Sequence, residues 1–240
     1  MKKIYVSAIL FIAAISLAVL SSCRFGCVKG SGHQVSETRK ATDFTRIEVS
    51  GGFKVDLKQD SSMAFTITAD DNLMKYIKSS VDGDRLHIYS KRSLCGSGEI
   101  VIHIGVKNVD QLKGSGAVEF ISDGKLNTKD LRIDLTGASK INLDLNAANV
   151  NTKGSGATEI NLKGQASSHN LDLTGSGKVN ALDFVVGNYN IETTGASECQ
   201  INVLHSLTVH STGSSDVKYR GNPTSVNTSK MGASSVTRID

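Results

Sequence analysis

Residues Asn151 to Asn180 read NTKGSGATEINLKGQASSHNLDLTGSGKVN. A Gly-Ser-Gly triplet opens the stretch, an alternating run follows, and the triplet returns. Such a triplet can be a loop that cradles a phosphate or a corner that bends the chain. Counting its copies separates the two. The first glycine of each Gly-(Ser/Ala)-(Gly/Ser) triplet falls at Gly114, Gly137, Gly154, Gly175, Gly195, Gly213 and Gly232, with spacings of 23, 17, 21, 20, 18 and 19. A period near twenty, repeated this often, marks a chain that stacks one small unit on the next.

Between corners, apolar residues recur at every second position, the period of a strand with one buried face. Four residues after each glycine stand Val118, Ile141, Thr158, Val179, Cys199, Val217 and Val236, and six after it Phe120, Leu143, Ile160, Ala181, Ile201, Tyr219 and Arg238. Glu119, Asn142, Glu159, Asn180, Gln200, Lys218 and Thr237 lie between them and are expected to face water. Before the glycine, Ile133, Val150, Leu171, Ile191 and Val209 point inward, while Asp134, Asn151, Asp172, Glu192 and His210 alternate outward. The expected fold is all-β: a right-handed parallel β-helix (β-solenoid) of about twenty-residue coils with GSG/GAS corners, wrapping an apolar column in two or three parallel sheets. One coil cannot stand alone. Its apolar side chains gain roughly 1.5–3 kcal/mol each on burial, whereas ordering its backbone costs about 1–2 kcal/mol per residue, so neighbouring coils must share core and hydrogen bonds.

Residues 41–108 lack the triplets and are expected to form a β-rich module that caps the first coil, ahead of solenoid repeats over 109–240. FTRIEVSGGFKVDLKQ (Phe44–Gln59) carries two alternating runs about Gly51-Gly52 and reads as a hairpin. MAFTITA, RLHIYSK and EIVIHIGV read as further strands, and DDNLMKYIKSS as a short helix capped by Asp70 or Asp71. Residues 1–22 carry the basic start and apolar run of a secretory signal, and Leu20-Ser21-Ser22-Cys23 has the small-residue pattern of a bacterial lipobox, which makes Cys23 the lipidated mature N-terminus. A flexible tether over 23–40 follows. Of the remaining cysteines, Cys27 and Cys95 sit in Gly/Ser-rich segments and form the candidate disulfide.

Removing Lys2 and Lys3 takes the net charge from +4 to about +2, and no basic stripe interleaves with aromatics, which argues against a nucleic-acid partner. Gly175-Ser176-Gly177-Lys178 fails as a phosphate-binding loop, because Asp172 stands where a glycine and Val179 where a Ser or Thr is required. The six histidines form no recognised metal-ligand spacing, so neither cofactor nor metal is expected. Cys199 lies in the Val/Ile column and reads as core. The outward residues Asp134, Asn151, Asp172 and Glu192 are the candidate surface binding ladder; a solvated face is the plainer reading of the same column.

Taken with the GSG/GAS corners, the segments FTRIEVSGGFKVDLKQ, NLMKYIKSSVDGDRLHIYS and DVKYRGNPT resemble the envelope family described as putative auto-transporter adhesin, head GIN domain. That resemblance implies a pectin-lyase-type β-helix with its GSG motifs at tight turns, and a role in adhesion without catalytic residues. The expected function is a non-catalytic, lipid-anchored envelope protein, located as an outer-membrane lipoprotein on the periplasmic side or the cell surface. Its expected partners are the membrane, through the lipid on Cys23, and a protein or glycan ligand. The alternatives are a carbohydrate-active lyase or hydrolase and a ligand-free envelope scaffold.

Overall fold

The computed structural model describes residues 26–62 and 64–240, so the signal segment and Cys23 lie outside the described residues. In chain order the elements are β1 (Val28–Lys29), β2 (Gln34–Lys40), β3 (Arg46–Gln59), β4 (Ala64–Asp70), α1 (Asp71–Met74), β5 (Ile77–Asp82), β6 (Arg85–Ser90), β7 (Leu94–Cys95), β8 (Val101–Val106), β9 (Gln111–Gly137), β10 (Lys140–Arg220), β11 (Ser225–Gly232) and β12 (Ser235–Arg238). The fold is all-β, dominated by one large mixed sheet in the order β11-β10-β9-β3-β8-β4-β2. β10 stays extended for 81 residues because its corners are made by single glycines rather than by loops.

Those glycines set the register. Gly51, Gly116, Gly137, Gly156, Gly175, Gly195, Gly213 and Gly232 all have positive φ, and paired segments align Gly116 with Gly51, Gly156 with Gly137, and Gly232 with Gly213. From Gly116 onward their spacings are 21, 19, 19, 20, 18 and 19, more even than those of the triplet starts. Close packing as well as φ demands glycine here. A Cβ on Gly156 would lie 2.7 Å from the Gly137 carbonyl oxygen, and one on Gly137 would lie 2.6 Å from that of Gly116.

The triplets therefore sit in two phases. In Gly114-Ser115-Gly116 and Gly154-Ser155-Gly156 the last glycine makes the corner; in Gly175-Ser176-Gly177 the first does. The other glycine of the triplet is an inward position left empty for a leucine. A Cβ on Gly154 would lie 2.8 Å from Leu173 Cδ2, and one on Gly177 would lie 2.9 Å from Leu173 Cδ1. Counting triplet starts thus displaces two of the repeats by two residues. An even displacement keeps every side chain on its proper face, which is why Val118, Phe120, Ile141, Ile160, Val179, Cys199, Ile201 and Val217 are all buried as expected.

The front of the molecule departs further from expectation. Gly51-Gly52 is no hairpin: β3 runs on through it and pairs in parallel with β9 on one side and with β6 and β8 on the other. Residues 46–59 are thus a rung of the same stack, placed between 85–106 and 111–122. The stack ends in antiparallel strands, β4 on β8 and β2 on β4, with β5 beside β6. Gln34–Lys40, expected as flexible tether, is the outermost of these strands. The helix shrinks to Asp71–Met74, and Asp70 makes no cap bond. Its buried carboxylate accepts from the Ser97 backbone N–H and hydroxyl instead, both at 2.8 Å. Cys27 and Cys95 are joined by a disulfide across 68 residues, with Cα atoms 5.7 Å apart.

One apolar core runs through the stack from Phe44 to Val217. A buried polar chain crosses it: His169 lies between Thr152, whose Oγ1 is 2.9 Å from Nε2, and Tyr189, whose hydroxyl is 2.7 Å from Nδ1. Each hydroxyl can donate or accept, so either neutral tautomer is satisfied. Burial lowers the His169 pKa to about 3 and raises that of Cys199 to about 12, so both are neutral core groups.

Candidate functional site

The corner glycines dictate which outward side chains become neighbours. Three residues before them stand Glu48, Lys113, Asp134, Lys153, Asp172 and Glu192, so the charge alternates in sign along most of this column. Lys113 reaches Glu48 at 2.9 Å, and Lys153 reaches Asp172 at 3.6 Å. Three residues after the corners stand Lys54, Glu119, Lys140, Glu159, Lys178 and Glu198, alternating again, with Lys140 3.2 Å from Glu159. Cross-strand neighbours of opposite sign stabilise a register weakly, while like charges directly opposite oppose it.

Asparagines line the next columns. Asn161 donates to Asn142 at 2.6 Å, Asn180 to Asn161 at 2.7 Å, and Asn170 to Asn151 at 2.9 Å. In each such pair one N–H and one carbonyl lone pair are used within the ladder. The second N–H of Asn161 is taken by Glu159 at 3.1 Å, while the other asparagines keep one amide N–H free of the ladder. A second set runs along another edge, with Asn146 donating to Asn127 at 3.1 Å and Gln165 to Asn146 at 3.0 Å.

Of the four residues expected to form one binding ladder, the structure brings three together. Asn151, Asp172 and Glu192 line a shallow groove of about 200 Å³ with Lys153, Asn170 and Asn190. Asp134 is not part of it. The register sets Asn151 beside Arg132 and Lys153 beside Asp134, so the ladder Asp134–Asn151–Asp172 is broken by a lysine and Asn151 belongs to the neighbouring column. The misplacement follows from the two-residue phase of the Gly154 triplet. Burial opposes ionisation of Asp134, but hydrogen bonds from Arg132 at 2.7 Å and Gln111 at 2.8 Å outweigh it and lower its pKa.

A larger groove of about 360 Å³ lies on the other side of the corner column, lined by Asn142, Asn161 and Asn180 together with Asp144, Lys163 and Asp183. Lys163 and Lys125 both approach Asp144, at 3.5 and 3.8 Å. Residue-by-residue reading missed this groove. Counting from the corner glycines Gly137, Gly156 and Gly175 places Asn142, Asn161 and Asn180 each five residues later, aligned at a spacing of 19. Gly175 to Lys178, the phosphate-loop look-alike, is a corner followed by one rung of the charge ladder. Among the described residues no three His, Cys, Asp or Glu side chains converge as metal ligands, and no helix is long and apolar enough to cross a membrane.

A family model described as "Putative auto-transporter adhesin, head GIN domain" matches residues 43–223. Among solved structures, a putative adhesin from Bacteroides fragilis NCTC 9343 superposes with a TM-score of 0.83 at 20% identity, covering 88% of this chain and 100% of that one. A putative adhesin from Parabacteroides merdae ATCC 43184 gives 0.69 at 21% identity, covering 89% and 99%. A putative lipid binding protein from Parabacteroides distasonis ATCC 8503 gives 0.72 at 19% identity, covering 89% and 99%. At such identities the likeness is one of fold. No curated protein sequence matches the chain.

Proposed function

The chain belongs to the family described as putative auto-transporter adhesin, head GIN domain, and on that premise we propose that it is a non-catalytic, lipid-anchored binding module of the cell envelope. In this reading the stacked segments form a right-handed parallel β-helix, lipid on Cys23 holds it to the outer membrane, and its outward ladders engage a protein or glycan. The parallel pairing at offsets of 19 to 21 residues about a column of corner glycines supports the architecture. The names of its structural neighbours, adhesins and a lipid-binding protein, agree with a binding role.

The observation that carries the reading is the pair of grooves flanking the corner column, each lined by asparagines in hydrogen-bonded register with charged groups beside them. Side chains already fixed by their neighbours lose little conformational freedom on binding, so a repetitive ligand meets a pre-ordered surface. The test combines two measurements. Protease shaving of intact cells should remove the protein if the ladders face outward. Binding of the purified protein to an array of envelope and host glycans and matrix proteins should weaken about tenfold in N142A/N161A/N180A or in N151A/N170A, a loss of two or three amide contacts. Retention of full binding by both variants would move the site elsewhere.

One observation favours a second reading, a carbohydrate-active enzyme: Asp172 and Glu192 share a groove. Polysaccharide cleavage by the purified protein that disappears in D172N and E192Q would replace the binding reading.

A further inference from the structure

The root of the N-terminal segment is built into the capped end of the stack. Val28 N–H donates to the Ser93 carbonyl at 2.9 Å and Gly30 N–H to the Cys95 carbonyl at 2.9 Å, with the Cys27–Cys95 disulfide between them. On the other side, Asn72 Nδ2 donates to the Lys29 carbonyl at 2.8 Å. From Asn72 the chain leaves α1 through Lys75 and Tyr76, and the Tyr76 carbonyl accepts from Lys91 N–H at 3.1 Å. Lys91 and Arg92 then lead back to Ser93. These contacts close a ring around the segment's root, and the ring carries Lys29, Lys75, Lys91 and Arg92, all exposed.

None of these four cations is ion-paired with a carboxylate among the described residues. That sets them apart from the lysines of the ladders, most of which have acidic neighbours. Two carboxylates adjoin the ring: Asp71, which accepts from Ser31 Oγ and from Asn72 N–H, and the buried Asp70, which lies against Gly30 and accepts from Ser97. Lys75 Nζ lies 5.2 Å from the centre of the Tyr76 ring, a lysine and tyrosine pair of the kind that suits the headgroup layer of a bilayer.

We infer that this ring of Lys29, Lys75, Lys91 and Arg92 around the disulfide-bound root is a docking surface for anionic lipid headgroups, which seats the stack on the membrane by its capped end. The inference deepens the proposed function and rests on it for proximity. If Cys23 carries lipid, only three residues, Arg24, Phe25 and Gly26, separate it from the bonded Cys27, and the four steps of chain span at most about 14 Å. A body held that close must present the face around its root to the bilayer, and that face carries four cations without a carboxylate partner among the described residues. Phosphate-bearing headgroups complement it, and the attraction falls off within about a Debye length, so contact requires the short tether or a favourable collision. The opposite end of the stack, with β11 exposed, then points away from the membrane.

The test uses the protein purified from its host in detergent and reconstituted into vesicles, one set of phosphatidylcholine and one containing phosphatidylglycerol. Lysines are acetylated briefly and their labelling rates read by mass spectrometry, with Lys163 and Lys230 as references remote from the ring in the fold. The expected result is a fall of about threefold or more in the rates of Lys29, Lys75 and Lys91 on phosphatidylglycerol vesicles, relative to the references, that is lost in high salt. Unchanged rates would overturn the inference, and so would equal protection on both kinds of vesicle, which would report proximity without headgroup recognition. The variant K75E/R92E should relieve the protection of Lys29 and Lys91; protection that survives it also overturns the inference. The anchor is read separately, from the mass of the Cys23 peptide and flotation with phosphatidylcholine vesicles. Salt-sensitive protection without acylation keeps the docking surface and removes the anchor, whereas acylation without protection does the reverse.

Discussion

At one end the stack is covered by the antiparallel strands β4, β2 and β5 and fastened by the Cys27–Cys95 bridge, whereas at the other β11 lies exposed along its whole length. The interior changes between the two ends as well. Two residues before the corners stand Val49, Gly114, Leu135, Gly154 and Leu173, then Thr193 and Ser211; two after them, Phe53 and Val118 give way to Ser139, Thr158, Gly177, Ser197 and Ser215. Near the open end hydroxyls pair with one another, Thr193 with Ser211 and Ser215 at 3.0 Å and Ser211 with Ser234 at 2.8 Å, and the buried Ser197 Oγ has no partner among the described residues. Apolar burial thus holds the front, while the back relies more on small polar contacts and on the strand segment beside it. In a stack where each rung meets only its neighbours, the last rungs open first. Lys230 and Arg238, in register with Ser211 and Tyr219, place charge on inward columns at that end, which discourages another edge from adding there.

The contrast breaks most sharply at the corner glycines. Gly156→Ala, in the middle of the stack, adds a strained φ to a clash with the Gly137 carbonyl and should cost about 3 kcal/mol or more, read by urea denaturation. Gly232→Ala has the same local geometry on the exposed last rung, so it should change hydrogen exchange only around 225–238 and leave the global midpoint in place. Next in size is the bridge. Replacing Cys27 and Cys95 by serine should lower stability by about 2–4 kcal/mol while protection of the last strand segments stays as it was.

Protonation probes the middle. His169 has a folded pKa of about 3 against an ordinary value near 6.5, so the unfolded chain takes up a proton that the folded chain refuses. Its contribution is therefore complete above pH 6.5 and is lost as pH falls toward 3, amounting to about 2 kcal/mol between pH 7 and pH 5. Comparing the pH dependence of unfolding with that of His169→Gln isolates it, and an unchanged slope would refute the assignment. The smallest effect is on the surface. Lys153→Glu sets a third acidic group between Asp134 and Asp172 and should cost no more than about 1 kcal/mol, diminishing with salt.

Period two made the buried face legible from sequence, and it survived the choice of the wrong glycine because the error was even. Column membership did not survive, since Gly154 and Gly156 are equivalent letters in different environments; the positive φ of Gly156 and the carbonyl beneath it tell them apart. Hence three of the four candidate ladder residues meet in a groove while Asp134 stands apart, and the Asn142–Asn161–Asn180 ladder was scattered over two columns. Gly51-Gly52 carries the local signal of a hairpin, but its parallel partner lies 65 residues away at Gly116, beyond any local pattern. The Thr152–His169–Tyr189 chain is likewise formed across separations of 17 and 20 residues. His169 sits at even spacing from the inward Leu171, but its hydroxyl partners carry no local signal.

The corner column also makes length a quantity that can change in whole units. Every corner glycine from Gly116 to Gly232 rests on the one before it through the same contact, so duplicating or deleting a segment between two of them rebuilds the same joint and keeps inward residues inward. Each such event would move the distal rung by one inter-strand spacing, about 4.8 Å, leaving the capped base untouched. Gain or loss of one such segment thus adjusts reach in fixed increments, which point substitution alone does not provide.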